Sequence, residues 1–234
     1  MKIRLPIVVC ALFLLILPIF VGIRSYAPST NTLYAHSETI TLAGGNVYYL
    51  HKLSSADGPA ITLYQLAATT GRKEMGRWVY SLNGIVSISA STWTVTYRVK
   101  RSSYASYLTA HCDINIYIMK SDNTIRTTIA TNVANSPSIT ATGTWQTLTG
   151  TYNLAGYTVV DQTDYLLVKY YIDVTQAQAS KYVYLSVDDS TLPLADQTKI
   201  ANVVFTYPNQ APLASFTYSP DYPVINETVT FNAT

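Results

Sequence analysis

The residues in this chain most able to do chemistry are its tyrosines. There are twenty of them in 234 residues, and all but Tyr26 follow Ala27. Tyr117, Tyr182 and Tyr184 fall on the polar side of segments that alternate apolar and polar residues, and Tyr171 can join them. Such a ring stacks on the apolar C–H face of a saccharide, while polar neighbours fix the sugar hydroxyls. If the strands that carry these four tyrosines are neighbours, the rings form one stacking platform for a glycan. The competing reading is plainer: tyrosine is a good strand former with a wet hydroxyl end.

Patterns for catalysis are missing. The chain has no Gly-x-Ser-x-Gly elbow, no His-Glu-x-x-His and no phosphate-cradling glycine loop. Gly71-Arg72-Lys73-Glu74-Met75-Gly76 reads as a charged loop leading into the strand of Trp78. Thirteen carboxylates are present, yet no spacing selects an acid–base pair among them. His36, His51 and His111 lack metal-ligand spacing, and adjacent His111 and Cys112 point to opposite faces of a strand. The expectation is a chain that is not an enzyme.

The elements that must position these side chains are strands. Trp93, Val95, Tyr97 and Val99 alternate with Thr94, Thr96, Arg98 and Lys100. Ile114, Ile116 and Ile118 alternate with Asn115, Tyr117 and Met119, and Val183, Leu185 and Val187 with Tyr182, Tyr184 and Ser186. Period-two patterning of this kind builds sheets with one apolar and one solvated face. Asp164 to Asp173 is apolar on both faces, which places it centrally in its sheet. Further strands are expected at 39–42, 47–53, 61–66, 77–81, 85–89, 125–131, 145–152 and 200–206, separated by turn signals such as Gly44-Gly45-Asn46 and Asn83-Gly84. Thr175 to Ser180 is the one stretch of helix-compatible composition. The fold class expected is all-β: a two-sheet antiparallel sandwich of jelly-roll type.

The N-terminus points to export. Lys2 and Arg4 precede an apolar run from Leu5 to Ile23, and Ser25-Tyr26-Ala27 fits a cleavage site, so residues 1–27 read as a signal peptide. An uncleaved membrane anchor is the alternative, because the nineteen residues from Leu5 to Ile23 approach the ~20 that span a bilayer. Both readings put the rest of the chain outside, at the cell surface or in the medium. The whole chain carries +2; without Lys2, Arg4 and Arg24, twelve cations face thirteen anions. A near-neutral body gives no electrostatic case for nucleic acid or an anionic membrane surface. Membrane contact is expected only through an uncleaved leader. Cys112 is the only cysteine beyond the leader, so no internal disulfide forms there and the hydrophobic core must supply stability.

The C-terminal residues carry a family resemblance. Ala214, Phe216 and Tyr218 alternate with Ser215, Thr217 and Ser219; a Pro-Asp-Tyr-Pro turn follows, then Val229 and Phe231 among Thr228, Thr230 and Asn232. With Asn209-Gln210-Ala211-Pro212 before it and Glu227-Thr228-Val229-Thr230-Phe231-Asn232-Ala233 at its end, this segment resembles the opening of a PKD domain, an immunoglobulin-like sandwich of extracellular proteins. That fold needs about seven strands in ~100 residues. Only two fit, so 213–234 is expected to be an incomplete module, joined by a linker at 208–212 to a sandwich domain at 28–207. The sandwich itself is similar, in a generic way, to jelly rolls that serve as carbohydrate-binding, virion or cell-surface modules.

Those resemblances imply the remaining expectations. Jelly-roll sugar-binding modules often hold a structural calcium ion near their paired termini. Here Asp188 and Asp189 end one strand and Glu38 opens the first, supplying hard oxygen ligands; a solvated turn is the competing reading of the two aspartates. No other cofactor is implied. Asn226 and Asn232 head glycosylation sequons. The function expected is that of an exported structural or adhesive surface protein, with surface glycans or other surface proteins as partners and a PKD-like spacer. The alternative is a carbohydrate-binding accessory module of a secreted hydrolase whose catalytic domain lies beyond Thr234.

Overall fold

Alternation in the sequence becomes burial of the apolar members in the middle of the chain. In the computed structural model, which describes residues 26–42, 45–52, 60–188, 192–208, 216–219 and 230–233, Trp93, Val95, Tyr97 and Val99 are each wholly buried. The residues between them, Thr94, Arg98 and Lys100, are partly exposed, while Thr96 is buried. The chain is all-β. In order, β1 is Tyr26–Leu42, β2 Gly45–His51, β3 Ile61–Leu66, β4 Gly71–Ser81, β5 Ser87–Ile88 and β6 Ser91–Arg101. They continue as β7 Thr109–Met119, β8 Ile125–Val133, β9 Gln146–Leu154, β10 Tyr157–Thr158, β11 Tyr165–Gln176, β12 Tyr182–Val187 and β13 Lys199–Pro208. A 3-10 turn at Leu194–Asp196 leads into β13.

The strands form one continuous sheet in the order β3-β12-β6-β13-β1-β2-β4-β11-β7-β8, with β9 on the free edge of β6 and β5 against β13 and β10. The sheet folds back so that its two halves pack as the layers of a sandwich. Tyr97 on β6 and Tyr170 on β11 are far apart in the strand order, yet their rings meet edge to face at 5.8 Å. Trp78 closes the same cluster 5.0 Å from Tyr170, and its indole N–H donates to the His36 carbonyl at 2.9 Å. The pairs β1–β2, β3–β12, β12–β6, β6–β13, β6–β9, β4–β11, β11–β7 and β7–β8 are antiparallel, whereas between β2 and β4 Tyr48 and Tyr49 run parallel to Trp78 and Val79.

β11 sits between β4 and β7, the central place expected for an element apolar on both sides. Leu166, Val168, Tyr170 and Ile172 face the main core, while Leu167 joins Val47, Val79 and Met119 in a smaller cluster. Cys112 is a free thiol within the core, and His111 beside it is partly exposed. Burial pushes the Cys112 pKa up, and the neighbouring Asp113 charge adds to the shift.

Two local expectations are corrected. The 71–76 segment is not a loop but the first half of β4, with Arg72 opposite Asp173 and Glu74 opposite Tyr171. Thr175–Ser180 is not helical: Thr175 and Gln176 finish β11 and a turn follows. In both places pairing with a neighbouring strand overrides weak local propensity.

The described residues fall into two units, Tyr26–Tyr207 and the part from Pro208 onward. In the second, β14 (Phe216–Ser219) and β15 (Thr230–Ala233) pair antiparallel, Phe216 opposite Ala233 and Tyr218 opposite Phe231. Of the expected leader at 1–27, residues 1–25 lie outside the described residues and Tyr26 and Ala27 begin β1; Asn226 also lies outside them, whereas Asn232 is on β15 opposite Thr217. Among the described residues no helix is long and apolar enough to cross a membrane.

Candidate functional site

A row of four side chains runs across β3, β12 and β6 to the residue just ahead of β9, on the outer face of one layer. Tyr64 on β3 stands opposite Tyr184 on β12, and Tyr184 stands opposite Lys100 on β6. Val99 pairs with Gln146 on β9, which brings Lys100 beside Trp145 just ahead of that strand. The spacings are short: Tyr64 to Tyr184 is 6.2 Å between ring centroids, the Lys100 amine is 5.4 Å from Tyr184, and 4.5 Å from Trp145. Tyr182, two residues along β12, adds an edge-to-face contact with Tyr64 at 5.7 Å.

The rings face outward because strand parity leaves no choice. Val183 and Leu185 are buried on the core side of β12, so Tyr182 and Tyr184 point the other way. Tyr64 is 62% exposed, and Leu66 beside it is 43% exposed. Two open depressions result. One, of about 260 Å³, is lined by Tyr64, Tyr182 and Tyr184. The other, of about 250 Å³, is lined by Thr62, Lys100, Arg101, Ser102, Ser103, Gly143 and Tyr184. They share Tyr184 and combine stacking surfaces with hydroxyl and amine donors.

The other two tyrosines expected in the platform lie elsewhere. β12 neighbours β3 and β6, whereas Tyr117 and Tyr171 occupy the adjacent pair β7 and β11. There they surround Arg72. Its guanidinium lies 3.7 Å over the Tyr171 ring, donates from Nε to both oxygens of Asp113 at 2.8 and 3.0 Å, and from Nη2 to Asn115 at 2.5 Å. Asn115 in turn donates to the Tyr117 hydroxyl at 2.7 Å. Burial works against the Arg72 charge, but the Asp113 hydrogen bonds and charge outweigh it and raise its pKa. Burial, reinforced by Glu74 and Tyr117, pushes Tyr171 up to about 12. This cluster spends its polar capacity internally and holds three strands together.

Two of the three carboxylates expected to bind calcium, Asp188 and Glu38, are engaged with histidine. The Asp188 side chain is buried, accepts from the Ser37 N–H at 3.1 Å and hydroxyl at 2.5 Å, and lies 3.2 Å from His36 Nδ1. Glu38 is 3.1 Å from His51 Nε2, and the His36 and His51 rings meet at 4.7 Å. Asp189 lies outside the described residues. Among the described residues, no group of three or more His, Cys, Asp or Glu side chains is placed to hold a metal ion.

Tyr64, Lys100 and Trp145 are the site residues that reading the sequence left out. Tyr64 carried a usable signal, since it shares parity with Thr62 in a strand whose Ile61 and Leu63 face inward. The Lys100–Trp145 contact carried none, because it depends on the register between β6 and β9.

No family model matches the chain, and no curated protein matches it. Among solved structures, it is similar to a CocE/NonD family hydrolase from Staphylococcus aureus. One crystal structure of that protein matches with a TM-score of 0.51 at 8% identity, over 78% of this chain and 37% of the hydrolase. A second matches with a TM-score of 0.48 at 6% identity, over 77% and 37%. The T=1 particle derived from infectious bursal virus matches with a TM-score of 0.26 at 14% identity, over 71% and 43%. The chain thus spans 37% of the length of the hydrolase, and the likeness is one of fold.

Proposed function

We propose that this chain is an exported, non-catalytic surface module that holds a saccharide on the face formed by Tyr64, Tyr182 and Tyr184. One observation carries the reading: three partly exposed tyrosines on adjacent strands lie 5.7–6.2 Å apart over an open depression of about 260 Å³. A depression of this size is smaller than the roughly 300–1,000 Å³ of pockets that enclose drug-sized ligands. It suits one ring at a time along a polymer that lies on the surface. The segment after Pro208 fits a PKD-like spacer, and adhesion to a glycan-coated surface is the working role.

The test is titration of the full chain with soluble polysaccharides, read by tryptophan and tyrosine fluorescence and by calorimetry. Saturable binding to at least one of them, weakened by Tyr184→Ala, supports the reading. Absence of binding across neutral and acidic polysaccharides alike overturns it.

A further inference from the structure

Several cations on one outer face of the sandwich are held in ion pairs, whereas among the described residues the cations beside the tyrosines are not. On the layer that carries β4, β7, β8 and β11, Arg72 pairs with Asp113, Arg77 and Lys169 with Glu74, and Arg126 with Asp161 and Asp164. On the tyrosine face, Arg98, Lys100 and Lys181 are ion-paired with no carboxylate among the described residues. Arg98 instead donates to the Thr147 hydroxyl at 2.9 Å, and Lys181 to the Ser103 carbonyl at 3.0 Å. Asp196 accepts from the Thr147 hydroxyl at 2.6 Å, and Thr147 stands opposite Arg98, two residues along β6 from Lys100. Lys100 itself is held between two rings, 4.5 Å from Trp145 and 5.4 Å from Tyr184.

A cation over an aromatic face is worth ~0.5–1 kcal/mol at an exposed site. That positions the amine without neutralising it. The amine therefore lines the second depression, beside Ser102, Ser103 and Thr62, with its charge still available. The two depressions share Tyr184, so a sugar stacked on the tyrosines places its neighbour in the chain against Lys100.

We infer that the ligand of this face is an acidic saccharide, one that carries a carboxylate or sulfate ester, with Lys100 reading the anionic group. The inference rests on the saccharide reading above and names its chemical class. Stacking supplies contact that any sugar can use, and Lys100 supplies the preference for charge.

The experiment compares matched pairs of probes with the full chain: a polyuronate against its carboxyl-reduced form, and dextran sulfate against dextran. The expected result is at least about tenfold tighter binding of the acidic member at low salt, a gap that narrows as salt screens the amine. Lys100→Met is expected to abolish the preference yet keep the weaker binding to the neutral member, and Lys100→Arg to restore it. A gain for the polyuronate alone assigns the anion as a carboxylate; a gain for dextran sulfate alone assigns a sulfate. Equal binding of neutral and acidic members, unchanged by Lys100→Met, overturns the inference but leaves the saccharide reading standing. Equal loss from Lys120→Met, at the end of β7 in the other layer, also overturns it, because general charge would then be the cause. Failure of every probe to bind overturns both.

Discussion

Tyr64 stands directly across the β3–β12 pair from Tyr184, with 6.2 Å between the ring centroids. Cross-strand aromatic pairs usually stabilise a sheet. This one leaves Tyr64 mostly in solvent, so its rings are spent on whatever lies outside. Tyr64→Ala and Tyr184→Ala are each expected to weaken saccharide binding by a few-fold to about tenfold, from ~0.5–1.5 kcal/mol per aromatic contact. Thermal stability of Tyr64→Ala should stay within about 0.5 kcal/mol of the parent, as for most surface substitutions. Calorimetric titration and thermal melts of the same samples check both halves. Binding lost together with the fold would sink the idea that Tyr64 serves a ligand.

How much of this was legible in the sequence depends on the range of the interaction. Parity is local, so Trp93 to Lys100 and Ile61 to Leu66 read correctly as strands, and Tyr182 and Tyr184 as outward-facing. Pairing is not local. That Tyr117 and Tyr171 belong to another layer, or that Lys100 meets Trp145, follows only from strand order and register. Residues 71–76 misled for a related reason. Two glycines and three charges suggest a loop, but Arg72 finds Asp113 and Asn115 on β7, and those partners outweigh the local preference.

Gly150 is a position where only hydrogen fits. A Cβ there would lie 1.8 Å from the Ala134 carbonyl oxygen and 2.8 Å from that of Asn135. Both obstacles are backbone. The Ala134 carbonyl is also pinned, since it accepts the Tyr97 hydroxyl at 2.7 Å within the core. Gly150→Ala is expected to cost about 3 kcal/mol or more, at the upper end of overpacking penalties. Urea unfolding followed by circular dichroism should show a midpoint lowered at unchanged slope. A stability equal to the parent would mean that the 134–135 turn yields freely.

Arg72 is expected to matter for stability rather than for binding. Asp113 is wholly buried, and the bidentate contact from Arg72 is its counter-charge. Arg72→Met keeps much of the packing on Tyr171 but strands the carboxylate. Loss of one partner from a buried pair costs roughly 3–5 kcal/mol; partial exposure of the arginine places the expectation near the lower figure. The double variant Arg72→Met with Asp113→Leu should recover much of that loss, because no buried charge is left alone. Denaturant midpoints of the three variants decide it. Saccharide affinity should not move, since the cluster sits on the other layer.

Alkaline pH should loosen the fold through tyrosine, and Tyr171 sets the window. Its pKa is raised from the ordinary 10.0 to about 12, first by burial and then by the charges of Glu74 and Tyr117. Between those values the unfolded chain releases the proton while the folded chain keeps it. Stability from this group is therefore complete below about pH 10 and falls as pH rises towards 12. Tyr97 and Tyr170, both buried with raised pKa values, act in the same direction. Tyr171→Phe keeps the ring under Arg72 and removes one ionising hydroxyl. Its urea midpoint should fall less than that of the parent between about pH 9 and pH 11, and its tyrosinate absorbance should rise with one fewer late-titrating group. Equal falls in the two proteins would show that Tyr171 ionises alike in the folded and unfolded chains, and that the alkaline sensitivity arises elsewhere.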